Sequence, residues 1–395
     1  MDNEKLLTIA IPTYNGAKTI ANMLEILLPQ CDERVEILIS DNASTDNTKL
    51  IIDKYIEKYE NIRYVRNVKN IGPDSNYLQC MKISKGKYTL LLSDDDILIE
   101  EKLCIILDFL QNNKDMSLVY LNAKGFHEKY ENEQKCIFYD KAIYDGQKIV
   151  TYDKQLFMSY AGRMWGFLSC FICLTEALHN ISDVNKYKGS NWLQSYVHIL
   201  CADYKEQRLG IISIPCIGAG IYSSISNFDS GRVDGITYRN MLDFAIKYGF
   251  SKKQLDELFI WRIGFISKRA LIKERAAGIK KTRVLNIIKC TIKYPIIVPT
   301  VFVIISFISL VLKVKICDIS IKLVTINPIK AIFLMFLNLS HNIGKKKPNG
   351  TNKSIFKQAL MKSETISKNG ITFTAKSIFR DAILGKPTSA KTAVK

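Results

Sequence analysis

Histidine and tryptophan are scarce in this 395-residue chain, with four and three copies. The histidines fall in no HxxxH or other ligand spacing, which excludes a His-rich metal centre. Cysteine is not scarce, at ten residues, but what it lacks is pattern. The residues are scattered through apolar runs, and only Cys170 and Cys173 form a CxxC. No second pair stands at zinc-ribbon spacing, so the two are expected to pack as core residues. The N-terminus MDNEKLLTIAIPTYN has two acidic residues and only a short apolar run before Pro12. No secretory signal is expected there, and reduced thiols are the simpler expectation. Internal repeats are also absent.

Acidic residues are missing from one part of the chain. Residues 1–250 hold 28 Lys+Arg against 32 Asp+Glu, a net of −4, whereas residues 251–395 hold 28 against 6, a net of +22. A mildly acidic body therefore carries a strongly basic C-terminal third, suited to nucleic acid or an anionic membrane face. No RNA or DNA motif accompanies the charge, so no nucleic-acid partner is expected.

Long apolar runs are few. Tyr294–Leu312 has 19 uncharged residues, about 28 Å as a helix at ~1.5 Å per residue. That is marginal against a hydrocarbon core of ~30 Å, and Pro295 and Pro299 shorten it further. Ala331–Leu339 is too short to span. A single crossing would place His341–Lys395, with twelve basic and two acidic residues, outside, against the positive-inside tendency. A helix lying in or dipping into the cytoplasmic leaflet is expected instead, its basic residues on anionic headgroups. A buried core helix would leave the flanking charge unexplained.

What is present in the first 125 residues is alternation. Apolar runs at 6–11, 35–40, 62–65, 88–92 and 117–121 read as strands, and helical patterns fall at 17–28, 45–59, 74–84 and 99–111. Strands separated by such helices predict an α/β domain with a Rossmann-like, parallel, doubly wound sheet. Ligands of such sheets bind at the carboxyl ends of the strands, where the polar clusters 12–16, 41–46, 70–76 and 93–96 lie. The expected organisation is one domain over 1–250, divided into a half that carries these strand-end clusters (1–125) and a less regular half (126–250). A basic, mainly helical membrane-associating region follows over 251–344, then a basic tail over 345–395.

Asp94, Asp95 and Asp96 follow directly on the fourth apolar run. Three adjacent carboxylates repel one another unless a hard divalent cation sits among them. Mg²⁺ or Mn²⁺ there can bridge phosphates and neutralise charge growing on a departing diphosphate. The alternative for Asp96 is the cap of the helix that begins near Ile99. Asp41 closes the second strand in SDNASTDNT, where a carboxylate can accept from a pyrimidine N–H or form an Asx turn. Asp46 reads as a helix cap. Pro12, Thr13, Tyr14 and Asn15 end the first strand in a turn that could expose backbone groups and the Tyr14 ring. Trp165 and Trp192 could stack on sugar rings or pack in the core.

IAIPTYNGAKTI, ILISDNASTDNT, VKNIGPDSNYLQCM and YTLLLSDDDIL together resemble the family 2 glycosyltransferases of the two-lobed, A-type nucleotide-sugar-binding fold. The likeness covers residues 6–125 well and 160–205 loosely, and is nearest to O-antigen and capsule transferases of the abequosyltransferase type. The resemblance implies that Thr13, Tyr14 and Asp41 hold base and ribose, that Asn70 and Asn76 border the donor, and that Asp94 touches ribose or phosphate. Asp95 becomes the metal ligand with Asp96 beside it, and Ser93 stands where the family's Asp-any-Asp signature has its first carboxylate. Inverting members place a basic Asp ahead of a Trp in the acceptor half. Here KGSNWLQSYVHIL puts Asn191 before Trp192, and an amide is no general base. Asp183, His198 and Asp203 are the alternatives.

The resemblance implies a metal-dependent, inverting transferase that moves one sugar from a nucleotide-diphosphate sugar to a hydroxyl of a lipid-linked oligosaccharide. Its expected place is the cytoplasmic face of a bacterial inner membrane, peripheral or monotopic. Transfer to polyprenyl phosphate, or donor binding without catalysis, are the rival expectations.

Overall fold

The computed structural model describes residues 5–126, 130–133, 137–138, 145–220 and 231–274. The apolar run 294–312 and the basic tail lie outside the described residues. Seven buried residues make β1 (Leu7–Thr13), as suits a parallel strand covered on both faces. α1 (Ile20–Leu27) buries Ile20, Met23, Leu24 and Leu27, the spacing of one helical face. β2 (Val35–Asp41) is again wholly buried; α2 (Thr48–Ile56) and β3 (Ile62–Arg66) follow. Gly72, at φ 83°, turns the chain into α3 (Pro73–Ile83), where the proline occupies a position that needs no N–H. Then come β4 (Tyr88–Leu91), β5 (Ile97–Leu98) and α4 (Lys102–Asn112).

The chain continues with β6 (Met116–Phe126), β7 (Ile137–Phe138), β8 (Lys148–Thr151), α5 (Lys154–Ala161) and β9 (Phe171–Leu174). It closes with α6 (Thr175–Asn180), α7 (Leu193–Ala202), β10 (Arg208–Gly220), α8 (Tyr238–Ile246) and α9 (Lys252–Glu274). Among the described residues one ten-stranded sheet runs β3-β2-β1-β4-β9-β6-β10-β5, with β7 on β6 and β8 on β10.

The sheet is parallel from β3 to β4 and mixed beyond, which corrects the expectation of a parallel sheet throughout. β9 pairs antiparallel with both β4 and β6. Its four residues are all buried, so the short FICL run fills the place that an all-parallel order would give to β6. The first four helices start within three residues of the expected positions. α4 starts three residues late because β5 intervenes, and it begins at Lys102 behind Glu101 at φ 62°. Asp96 is therefore no helix cap.

Two compact units divide the chain: one of Met1–Ile263 with Lys280–Ile292, the other of Gly264–Ile279 with Lys293–Lys395. The first runs past the expected boundary at 250, since α9 buries Leu255 and Phe259 in it. Of the second, the described part is the last stretch of α9. No described helix is long and apolar enough to cross a membrane.

Candidate active site

The carboxyl ends of β1, β2 and β4 lie side by side, because β1 pairs with both neighbours. Register sets Pro12 opposite Ser40 and Thr13 opposite Asp41. Pro12 is buried in the strand, and the Asn42 N–H donates to the Thr13 carbonyl at 2.9 Å. The Thr13 hydroxyl donates to Asp94, joining the first strand to the acidic turn. Gly16 makes that approach possible: a Cβ there would lie 2.3 Å from Asp94 Oδ2 and 2.6 Å from Thr13 Oγ1.

Tyr14 is 48% exposed at this rim, an open aromatic face beside buried polar groups. Asn15, at φ 56°, clasps the neighbouring turn. Its N–H donates to Ser44 Oγ at 2.9 Å, and its Oδ1 accepts from the Thr45 N–H at 2.8 Å. Asp46 accepts from the N–H groups of Ala17 and Thr48 at 3.2 and 3.0 Å, one residue ahead of Asn47, which takes the cap position of α2 expected for Asp46.

Asp41 is fully buried and already satisfied. Its carboxylate accepts from the Ser44 N–H at 2.8 Å, the Tyr64 hydroxyl at 2.7 Å and Arg66 Nε at 3.2 Å. Burial, with the Asp41 bond and charge next, pushes the Tyr64 phenol well up. As it stands Asp41 shapes the 42–46 turn and anchors Arg66. Asn76 is likewise buried, with Ser40 Oγ donating to it at 2.7 Å and its own amide donating to the Ser40 carbonyl at 2.9 Å. It braces β2 from α3 and does not open to a ligand. Asn70 is exposed, linked to Asn42 at 2.9 Å and accepting from the Gly72 N–H at 2.8 Å.

In the turn after β4 the three carboxylates part company. Asp96, expected beside the metal, is 3% exposed. Its oxygens accept from Ser169 Oγ at 2.5 Å and the Gly220 N–H at 3.0 Å. Burial, then the charge of Asp95, push it up to about 8. It ties the turn to β10 rather than facing solvent. Asp94 and Asp95 stay half-exposed. Burial is the main cause of a rise in Asp94 to about 6; the Thr13 hydroxyl opposes it and the Asp95 charge adds to it. Asp95 accepts from Ser93 Oγ at 2.5 Å.

Among the described residues no three His, Cys, Asp or Glu converge as a ready metal cage. Two adjacent half-exposed carboxylates still suit Mg²⁺ or Mn²⁺. Such ions keep several waters and bind through one or two carboxylates plus substrate phosphates. Asp95, with Asp94, would hold one. Beside Asp95 opens a cleft of about 300 Å³ walled by Lys18, Asn22, Glu25, Ile97 and the rings of Phe126 and Tyr130.

Asn191 lies at the front of α7, just before Trp192. It is exposed at φ 65° and accepts from Arg232 at 3.4 Å. Trp192 behind it is 4% exposed, its indole N–H donating to the Val233 carbonyl at 2.8 Å, with Arg262 stacked 5.1 Å from the ring. Trp165 is 1% exposed, and its N–H donates to the Ser195 carbonyl at 3.2 Å. Both indoles are core residues, not sugar platforms.

The alternative bases fare differently. His198 is 2% exposed with its ring 4.4 Å from that of Phe171, and burial drives it down to about 3. Asp203 ends α7, at the opposite end from Asn191, and pairs with Lys154 at 2.6 Å. Asp183 is 70% exposed at φ 61° and paired with Lys186. Cys170 and Cys173 are buried core thiols as expected, and burial raises Cys170 well above its ordinary value.

Gly16, Ser169 and Tyr77 did not stand out in the sequence. Ser169 and Gly220 reach Asp96 across 73 and 124 residues, which no local pattern announces. Tyr77 lies on α3, and burial, followed by the charges of Asp74, Asp94 and Asp95, pushes its phenol up to about 12.

Residues 8–169 match the family described as Glycosyl transferase family 2. The chain carries a family 2 glycosyltransferase domain. It is similar to abequosyltransferase RfbV of Salmonella typhimurium, 29% identical over 202 residues that cover 49% of this chain and 59% of that protein. A stretch of 126 residues is 34% identical to the poly(ribitol-phosphate) beta-glucosyltransferase of Bacillus spizizenii, covering 30% of this chain and 20% of that one. The chain thus spans less than two thirds of the length of these curated relatives. S. aureus TarS 1-349, solved with UDP-GlcNAc, superposes with a TM-score of 0.53 at 16% identity, over 72% of this chain and 79% of that chain. The family 2 domain thus has the A-type glycosyltransferase fold.

Proposed function

We propose that the protein transfers a single sugar from a nucleotide-diphosphate sugar to a hydroxyl of a lipid-linked oligosaccharide, with inversion, in bacterial surface polysaccharide synthesis. The observation that carries this is the Thr13–Asp94 bond, which draws the end of β1 and the acidic turn into one site. Tyr14 and the Asn15-clasped turn border the nucleotide, with Pro12 and Asp41 fixing the strand ends beneath it and Asn70 at its open edge. The relatives support this donor class, since TarS is solved with UDP-GlcNAc and RfbV is an abequosyltransferase.

Asp95 and Asp94 would hold Mg²⁺ or Mn²⁺, which would supply positive charge against the negative charge developing on the diphosphate. The half-apolar cleft beside Asp95 gives a sugar ring polar edges and two aromatic walls. The acceptor enters from the Asn191 side, and its oxygen forms a bond to the anomeric carbon as the bond to the diphosphate oxygen breaks. Asn191 orients that hydroxyl. The basic C-terminal third keeps the enzyme peripheral to an anionic cytoplasmic membrane face, where a lipid-linked acceptor resides.

Sugar transfer to polyprenyl phosphate is favoured by one observation: Asn191 stands where a basic carboxylate was expected, and an anionic acceptor needs no strong base. The two separate in an assay with anionic vesicles carrying either a polyprenyl-diphosphate oligosaccharide or polyprenyl phosphate. Transfer to the oligosaccharide is the expected result; product on polyprenyl phosphate alone would replace it with the second reading.

A further inference from the structure

The reaction proposed above leaves one proton without a destination. Asn191 is an amide, His198 is sealed in the core, and Asp183 and Asp203 are each held by a lysine. Asp74 has none of these faults. It sits in the first turn of α3, half-exposed, and its Oδ2 accepts from the Gly189 N–H at 2.7 Å across 115 residues. That contact places it against the loop that leads two residues later to Asn191. One helical turn on, the Tyr77 hydroxyl lies in the combined field of Asp74, Asp94 and Asp95. Asp74 thus stands between the acidic turn and the front of α7. Among the described residues it has no cationic partner, and its Oδ1 accepts no hydrogen bond.

From this placement we infer that Asp74 is the general base of the transfer, an assignment that rests on the transferase reading. The acceptor O–H bond breaks as the new C–O bond forms at the anomeric carbon. The proton passes to Asp74 Oδ1, and the electron pair of the broken glycosyl–oxygen bond leaves with the nucleoside diphosphate. The Gly189 clasp holds the other oxygen, fixing the carboxylate plane and delivering Asn191 beside it.

Water serves as the acceptor of the test, since its attack on the donor needs the same proton removed. Nucleotide release is measured for the full chain with Mn²⁺ over UDP-, TDP-, CDP- and GDP-hexoses, then for Asp74→Asn and Asp74→Glu with the best donor. An asparagine keeps an acceptor for the Gly189 N–H and removes only the basicity. Loss of a general base predicts a fall in kcat of roughly 100-fold or more, with donor KM and the thermal shift by the nucleoside diphosphate unchanged. Asp74→Glu should recover part of the rate, which a purely structural clasp would not show. Asp74→Asn within threefold of the wild-type kcat, or a change confined to KM, overturns the assignment. A wild-type chain that neither binds nor cleaves any of these donors fails at the transferase reading instead, and Asp74 falls with it.

Discussion

Gly166 lies against the ring of Trp192, and adding one methyl there tests how the loop before α7 is held. A Cβ on residue 166 would stand 2.1 Å from Trp192 Cζ3 and 2.8 Å from Cε3, far inside any van der Waals contact. The ring has little room to yield. Tyr238 packs at 4.7 Å between centroids, Arg262 stacks on it at 5.1 Å, and the indole N–H is tied to Val233 at 2.8 Å. Overpacking of a tight core costs about 1–3 kcal/mol, and a tilted ring that lost its hydrogen bond would add about 0.5–1.5 kcal/mol. Gly166→Ala should therefore lose about 2–4 kcal/mol in urea unfolding. Its transfer rate should fall as well, because Asn191 is the next residue back along the chain. The same substitution made in Trp192→Leu should cost under about 1 kcal/mol, the difference measuring the contact directly. A Gly166→Ala protein within about 0.5 kcal/mol of wild type, or full additivity with Trp192→Leu, would refute this packing.

Two further outcomes follow from buried titratable groups. His198 has a folded value of about 3 against an ordinary ~6.5, so below pH 6.5 the unfolded chain takes up a proton that the folded chain refuses. Stability from this group is complete above pH 6.5 and declines as pH falls toward 3; between pH 7 and pH 5 the loss is about 2 kcal/mol. His198→Phe should lack that part of the decline in urea melts at the two pH values, and an identical decline in both proteins would show that the imidazole titrates freely. Asp41→Ala removes the acceptor of Ser44, Tyr64 and Arg66 together and should destabilise by about 2–3 kcal/mol. Nucleotide affinity should weaken with it; full stability in calorimetry would contradict the role given to this carboxylate.

How far the molecule was legible in its sequence depends on the range of the contacts involved. β1 to β4 and their helices showed themselves because buried parallel strands are unbroken apolar runs and the helices repeat at one face. β9 lies in the short apolar run around Cys170 and Cys173, whose strand-like character shows but whose partners in the sheet do not. β10 was missed for a different reason: Pro215 and three glycines interrupt its apolar run. At the site, the clusters at the strand ends converge as their spacing implied, and Thr13 reaches Asp94. The separate fates of Asp94, Asp95 and Asp96 were not visible, since they are decided by Ser169 and Gly220 from distant elements. Asn76 looked like a ligand residue but serves β2, because only the fold shows that its amide faces Ser40.

Donor binding through Asp95 underlies the proposed transfer, and one titration reaches it. The melting temperature of the full chain is measured with UDP, TDP, CDP and GDP, each with and without Mn²⁺, and again for Asp95→Ala. Binding to the native state alone raises it by mass action, ~2.7 kcal/mol at a hundredfold excess over Kd. One nucleotide should stabilise the wild type in the presence of metal, and the effect should disappear in Asp95→Ala while its unliganded melting temperature is kept. No shift from any nucleotide, or an equal shift in Asp95→Ala, would contradict it.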